Sequence, residues 1–204
     1  MSRSAPRPAA VALARGGALS LLLVLTGCTS HPPLPAVEQL ELERFMGDWY
    51  VQAHIPVGSE KRAYNAVESY ALDEEGRVLT SYVFRQGGFD GELELMQPVG
   101  FVSEESSAVW GMRFFWPFKA EYLVAYIDAD YSETIIARTK RDYAWIMTRE
   151  AEISEERLAA LSRRLGELGY DLSELRRVPQ RWPDPEHPVT RANGSLATFT
   201  RSQP

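Results

Sequence analysis

Few residues of this 204-residue chain have the types and spacing that acid–base or nucleophilic chemistry requires. The three histidines are His31, His54 and His187. They fall in a proline-rich stretch, at a strand end and in the C-terminal tail, so neither a histidine metal site nor a relay triad is easily assembled. The nearest approach to an acid–base pair is Glu68 with Tyr70 or Tyr126. We therefore expect a binding protein without metal or cofactor, and an isomerase only if those side chains converge.

Cys28 is the only cysteine, so the chain can form no internal disulfide. It follows a leader in which Arg3, Arg7 and Arg15 precede the apolar run 18–25. Positive residues, then a short apolar run, then small residues are typical of a secretory signal peptide. The run is too short to span a bilayer, which takes about 20 apolar residues.

The stretch Leu25-Thr26-Gly27-Cys28 resembles the lipobox of bacterial lipoproteins. That resemblance implies that residues 1–27 are a signal peptide, cleaved after Gly27, and that lipid is attached to Cys28. Two or more acyl chains anchor a protein stably to a membrane. The alternative is an ordinary signal peptide with a chance cysteine. Because Thr29 and not Asp follows Cys28, the resemblance implies the periplasmic face of the outer membrane.

The composition indicates one globular domain: 45% of the residues are hydrophobic and 25% are charged. The formal net charge is -6, and the leader contributes three arginines and no acid. A mature chain is therefore still more acidic, and such a surface repels phosphate backbones, which excludes nucleic acid as the expected partner.

Short runs of Val, Ile, Tyr, Phe and Trp between Gly, Pro, Asp and Glu clusters predict an all-β fold. Both faces of Tyr122–Ile127 are apolar, so both must be covered, as in a barrel with a lined interior and a helix outside. A β-sandwich is the main alternative. The expected strands are Trp49–Ile55, Asn65–Leu72, Val78–Arg85, Glu92–Met96, Ala108–Trp116, Tyr122–Asp128, Thr134–Arg138 and Tyr143–Thr148.

An amphipathic helix is expected after Arg149, with Ser154 as its N-cap and Gly169 at its end. Its apolar stripe consists of Leu158, Leu161, Leu165 and Leu168. The expected organisation is a signal peptide (1–27), a lipidated N-terminus and proline-rich spacer (28–40), one folded domain (41–178) and a disordered tail (179–204).

Three short motifs then carry a family resemblance: Gly47-Asp48-Trp49-Tyr50, Asp130-Tyr131 and Arg149 resemble the three motifs of the lipocalins, in order. Ala129 stands where lipocalins usually have Thr, and the usual Asn-Phe-Asp before the first motif is absent. The stretches Gly111–Phe118 and Asp142–Arg149 are similar to the branch of bacterial membrane-anchored lipoproteins.

The resemblance implies an eight-stranded antiparallel up-and-down barrel, wide enough for one small ligand, with one C-terminal helix packed outside. It also implies that Trp49 and Arg149 pack together at the closed end of the barrel, in a structural role. A homodimer is compatible with it.

Alternation and the resemblance together place eight side chains inside as ligand-binding candidates: Glu68, Tyr70, Trp110, Met112, Phe114, Tyr122, Tyr126 and Trp145. Aromatic rings with polar tips and a flexible Met suit an acyl chain with a polar head, that is, a fatty acid or a lysophospholipid. A core that these side chains simply fill is the alternative, as is a solvent-exposed Glu68. Three hypotheses follow: a lipid carrier, an isomerase, and a structural envelope lipoprotein with a filled barrel.

Overall fold

The computed structural model describes residues 31–188; the expected leader and Cys28 lie outside the described residues, as do residues 189–204. One antiparallel sheet dominates the fold. Its strands are β1 (Gly47–Ile55), β2 (Ala63–Leu72), β3 (Val78–Gln86), β4 (Leu93–Met96), β5 (Val99–Val102), β6 (Val109–Phe115), β7 (Phe118–Ile127), β8 (Glu133–Ala137), β9 (Ala144–Thr148) and β10 (Arg176–Arg177). The helices are α1 (Leu42–Phe45) and α2 (Glu155–Glu167).

The sheet closes into a barrel because β1 pairs with β2 on one side and with β9 on the other. Strands β4 and β5 both pair with β3 and act as one broken strand, so the barrel has eight strand positions. The predicted eight-stranded antiparallel barrel with one helix outside is confirmed. Strand β5 was not predicted, and β7 begins at Phe118, four residues before the expected start at Tyr122.

Helix α2 covers one side of the barrel, as its leucine stripe predicts. The Ser154 side chain accepts a hydrogen bond from the Arg157 N–H and caps the first turn. The buried leucines of α2 pack on outward-facing side chains of the wall, among them Ile135 and Ile146. Full burial of a leucine contributes about 1.5–3 kcal/mol, so this contact holds the helix on the wall. Within residues 31–188, no helix is long and apolar enough to cross a membrane.

Antiparallel strands give the barrel two different ends. The closed end carries α1, the turn at 73–77 and the loop at 128–132, and Arg149 lies there beside Trp49. The open end carries the opposite loops, which are 56–62, 87–91, the β6–β7 turn and 138–142.

Residues 31–40 run along the outside of the barrel from the open end to the closed end. The Arg141 guanidinium at the open end donates a hydrogen bond of 2.6 Å to the Pro32 carbonyl. Further along, the Val37 N–H donates to the Val124 carbonyl, and the Leu40 N–H donates to Ser107 Oγ near the closed end. The expected spacer is therefore attached to the barrel wall over residues 32–40.

The C-terminal segment completes the wall between β1 and β2. These two strands pair directly only over Gly47–Tyr50 of β1, and β10 takes the place of β2 beside Ala53 and His54. Beyond β10, the side-chain amide of Gln180 donates to carbonyls on both strands, those of Val51 and Ala66. The gap near the open end is thus bridged by the segment that follows α2.

Residues 179–188 correct the expectation of a disordered tail. Asp184 is buried and accepts two hydrogen bonds from the Arg85 guanidinium, at 2.6 and 2.8 Å. The Asn65 side-chain amide donates to the same carboxylate. Arg85 and its hydrogen bonds hold the pKa of Asp184 well below its usual range. Few large apolar residues mark this segment in the sequence, because an ion pair and not a hydrophobic stripe attaches it.

We expect Asp184→Asn to lower the free energy of unfolding by about 2 kcal/mol at neutral pH, because it leaves the buried Arg85 without its bidentate partner. The depressed pKa of Asp184 gives stability above the carboxyl's unfolded pKa, and this stability is lost as the pH falls. The difference between wild type and variant should therefore shrink in acid. Urea unfolding at several pH values measures it.

The control for this prediction is Asp90→Asn, which alters an almost fully exposed carboxylate 3.3 Å from Arg181. Exposed pairs contribute little, so the control should unfold like the wild type. Equal stability of both variants would contradict a structural role for the tail.

Candidate functional site

The closed end is organised by the Arg149 guanidinium, which lies over the Trp49 ring at 3.8 Å from its centroid. Its nitrogens donate hydrogen bonds to five main-chain carbonyl oxygens, those of Arg44, Phe45, Met46, Asp48 and Tyr131. Burial lowers the pKa of Arg149 to about 10, so the group remains charged at neutral pH. One side chain therefore joins β1, α1, the 128–132 loop and the end of β9.

Of the other motif residues, Gly47 and Tyr131 belong to the cluster around Arg149, whereas Asp130 does not. Gly47 has φ +92°, and a Cβ there would lie 3.4 Å from Arg149 Nη1, so glycine suits the close approach. Tyr131 accepts a hydrogen bond from the Glu41 N–H and joins the same cluster. Asp130, in contrast, is exposed, and Asp128 holds the turn by accepting from the N–H groups at 132 and 133.

The lower half of the interior is filled by a group of five rings, which we call the aromatic floor: Phe45, Trp49, Tyr70, Trp110 and Tyr122. The Trp110 and Tyr122 rings stack at 5.2 Å with an angle of 6° between them. The hydroxyls of Tyr70 and Tyr122 hydrogen bond to each other. Three of the predicted ligand-binding residues thus face inward, as expected, but they also pack against one another.

Above the floor, polar and aromatic side chains mix in a region that we call the upper interior: His54, Glu60, Glu68, Tyr82, Tyr143 and Trp145. The Trp145 indole N–H donates to Glu60 Oε2 at 3.3 Å, and His54 Nδ1 lies 3.6 Å from the same oxygen. The Tyr82 and Trp145 rings are 4.8 Å apart. Glu60 reaches this region from the loop 56–62 at the open end.

Comparison with known proteins agrees with this geometry. The family model of the lipocalin-like domain matches residues 40–180. The chain belongs to the lipocalin family. Membership supports the binding of a hydrophobic ligand as the general activity of this lipocalin.

Individual relatives resemble most of the lipocalin's length. Temperature-induced lipocalin-1 of Arabidopsis thaliana is 29% identical over 78% of this chain and 89% of its own. Outer membrane lipoprotein Blc of Escherichia coli strain K12 is 25% identical over 80% of this chain and 94% of its own. Among solved structures, insecticyanin of the tobacco hornworm Manduca sexta superposes with a TM-score of 0.56 at 15% identity, over 76% of this chain and 87% of its own.

Glu68 is the most unusual residue inside this lipocalin, because its carboxyl group is buried with 1% exposure. Burial, and then repulsion from Glu60, raise the pKa of Glu68 well above its usual value, while a hydrogen bond with Tyr70 opposes them. The alternative of a solvent-exposed Glu68 is therefore wrong. Burial of this kind favours the neutral carboxylic acid, which can donate a hydrogen bond.

In the described part of the chain, the Glu68 carboxyl group and the Tyr82 side chain on the neighbouring strand each have an oxygen atom without a partner. Among the atoms of residues 31–188, neither Glu68 Oε2 nor the Tyr82 hydroxyl finds a hydrogen-bond partner. An unpaired buried polar group costs about 1–3 kcal/mol. The upper interior therefore presents hydrogen-bonding groups that a polar ligand atom can satisfy.

Two of the predicted ligand-binding residues do not face the interior. Phe114 is 52% exposed, since a register shift after Met112 carries the end of β6 beyond the barrel wall. Tyr126 packs on the outer side beneath Arg164 of α2, because a register shift after Val124 reverses the alternation of β7. The acid–base pair of Glu68 with Tyr126 is therefore not formed. Met112, in contrast, is buried inside as predicted.

Four residues of the upper interior were missed: His54, Glu60, Tyr82 and Tyr143. His54 faces inward only because β1 has a bulge at Gln52, which simple alternation cannot reveal. Glu60 belongs to a loop, where burial of a charged residue has no sequence signal. Within residues 31–188, no group of three or more His, Cys, Asp or Glu side chains is placed to hold a metal ion.

Arg149→Lys should lower the free energy of unfolding by about 2 kcal/mol, and Arg149→Met by about 4 kcal/mol. Lysine retains the charge but cannot serve five carbonyls from one planar group, and methionine leaves all of them without a donor. Arg163→Lys, on the exposed face of α2, is the control and should be neutral. Denaturant unfolding gives the values, and an unaffected Arg149→Met would show that the closed end does not need this side chain.

Glu68→Gln should become increasingly stable relative to wild type as the pH rises above 4.5. Folded wild type retains the Glu68 proton that the unfolded chain releases, so its stability falls by up to about 1.4 kcal/mol per pH unit until Glu68 ionises in the folded state. Glutamine has no such proton. Melting temperatures between pH 4 and 9 test this, with exposed Glu94→Gln as control. A constant difference between Glu68→Gln and wild type would exclude the raised pKa.

Proposed function

We propose that this lipocalin binds a single-chain lipid, a fatty acid or a lysophospholipid, and stores or carries it in the cell envelope, where it would serve membrane maintenance. The observation that carries the proposal is the pair of unpartnered buried oxygens, on Glu68 and Tyr82, among aromatic rings. A purely apolar ligand would leave these groups unsatisfied. An amphiphile satisfies them with its polar head and covers the rings with its chain.

The neutral form of Glu68 favours a head group that accepts hydrogen bonds. A fatty-acid carboxylate or the phosphate of a lysophospholipid would accept from the Glu68 carboxylic acid and from the Tyr82 hydroxyl. The acyl chain would lie against the rings of Phe84, Tyr143 and Trp145, where each buried methylene contributes about 0.8 kcal/mol. A choline or ammonium head would instead favour an ionised Glu68.

The proposed location is the periplasmic face of the outer membrane, with the chain attached through lipid on Cys28. The lipobox-like residues 25–28 support this proposal, as does similarity over 80% of the chain to proteins described as outer membrane lipoproteins.

A fluorescent fatty acid and a fluorescent lysophospholipid should each bind the delipidated protein saturably and quench its tryptophan emission. Tyr82→Phe removes one hydroxyl and should weaken binding about 2–10-fold, the value of one hydrogen bond. Tyr64→Phe is a matched control, because Tyr64 lies on the outer wall against Phe89. Glu68→Gln should retain binding of the fatty acid, since an amide still donates.

Two results would count against this assignment of the head-group site. Loss of binding in Glu68→Gln, together with a preference for a ligand with a choline head, would mean that Glu68 binds the ligand as an ionised carboxylate. Equal effects of Tyr82→Phe and Tyr64→Phe would place the ligand elsewhere.

The aromatic floor favours one alternative, a structural envelope lipoprotein with a filled barrel. Five rings already occupy the lower half of the interior, so an acyl chain has to use the upper interior or displace rings. The absence of saturable lipid binding by the folded wild type would support this alternative and reject the carrier.

A further inference from the structure

The β6–β7 hairpin ends in four exposed aromatic residues, which we call the aromatic tip. Their exposed fractions are 52% for Phe114, 67% for Phe115, 82% for Trp116 and 67% for Phe118. They are consecutive apart from Pro117, so they form one continuous patch. Patches of large apolar side chains on soluble domains mark contacts with other molecules.

Basic residues flank this tip on both strands. Arg113 and Lys119 lie over the Phe101 ring, with their charged atoms 4.5 and 3.8 Å from its centroid. No acidic residue occurs between positions 113 and 120. Aromatic rings with a basic collar are the composition that favours the interface of a phospholipid bilayer, where rings lie at the level of the head groups and cations meet phosphates.

The two ends of the barrel differ strongly in charge, and the loops around the aromatic tip are basic although the chain is acidic as a whole. The open-end loops 56–62, 87–91, 113–119 and 138–142 contain seven basic and three acidic residues, and the neighbouring C-terminal segments 168–175 and 179–188 add one basic and four acidic residues. The closed-end segments contain three basic and eleven acidic residues; these segments are 41–46, 73–77, 103–108, 128–132 and 149–154. The basic loops around the tip are therefore attracted to an anionic surface, whereas the closed end is repelled by it.

The described chain also begins at the open end. Arg141 holds the Pro32 carbonyl there, and Cys28 is four residues before Pro32. Four extended residues reach at most about 14 Å, whereas a nine-residue strand such as β1 is about 30 Å long. A tether at Cys28 is therefore confined to the open-end half of the barrel.

We propose that the open end of this lipocalin docks on an anionic phospholipid bilayer, with the aromatic tip inserted at the head-group level and the barrel mouth facing the membrane. The aromatic tip and the basic loops around it support this docking independently of the proposed function. Only the argument from a tether at Cys28 rests on the proposed function. In this orientation a lipid passes between bilayer and barrel without crossing bulk water.

A polarity-sensitive fluorophore on a single cysteine tests the docking. In full-length Cys28→Ser chains, the label is attached at Trp116→Cys in the aromatic tip or at Glu74→Cys in the exposed closed-end turn. The probes are vesicles of phosphatidylcholine with or without phosphatidylglycerol. Emission at position 116 should shift to the blue on vesicles containing phosphatidylglycerol, and emission at 74 should not. The leader is the same in both chains, so its own affinity for lipid affects both equally.

Charge variants measure the basic collar. In the labelled Trp116→Cys chain, the double variant Arg113→Gln, Lys119→Gln should need an about 30-fold higher vesicle concentration to reach half of the maximal shift. Each basic residue near an anionic surface contributes about 1 kcal/mol to binding. Arg163→Gln with Arg164→Gln on α2, away from the tip, is the control and should change it little.

Three results would overturn the proposal: no shift at 116, equal shifts at 116 and 74, or a shift that depends on protein concentration without vesicles, which would assign the tip to a second copy of the chain. Fatty-acid binding measured without vesicles is independent of these outcomes. It should be unchanged in the Arg113→Gln, Lys119→Gln variant, so failure of docking and failure of lipid binding are distinguishable.

Discussion

The structure depends on one half-buried guanidinium. Arg149 satisfies carbonyl oxygens from α1, the start of β1 and the 128–132 loop, and its face covers the Trp49 ring. These carbonyls converge at the point where the barrel would otherwise leave backbone acceptors without a protein donor. Phe45 is fixed by the same contacts, and the other rings of the aromatic floor pack upon it. The aromatic floor, held in place at the closed end, therefore determines how deep the rest of the interior is.

Above the aromatic floor, the interior is lined by polar as well as aromatic side chains. Tyrosine hydroxyls and the Glu68 carboxyl group are enclosed by aromatic rings, and this burial favours the neutral form of Glu68. Burial likewise raises the pKa of Tyr82 and Tyr143, so every hydroxyl remains a potential donor. A polar group of this kind contributes little to folding. In the proposed function, such a group binds the polar end of the ligand.

The fold could be predicted from sequence because its signals are periodic and local. Alternating apolar residues gave the strands, and the leucine stripe of α2 gave the helix and its buried face. The site was predicted less completely, since the bulges in β1 and β7 shift the alternation by one residue and thereby turn His54 inward and Tyr126 outward. The attachment of residues 179–188 through Asp184 and Arg85 depends on two residues 99 positions apart, for which one sequence carries no local signal.

The bridge between β1 and β2 near the open end has a mechanical consequence. A regular strand pair is held by a continuous ladder of backbone bonds. Here the C-terminal segment spans the same length, through two residues of β10, the backbone bonds between Val178 and Gln52 and between Asn65 and Pro179, and the side-chain amide of Gln180. Each bond that must break together adds to the local free energy of opening. Parting β1 from β2 near the mouth therefore also requires the C-terminal segment to detach, so the side wall of the cylinder and residues 176–181 open together.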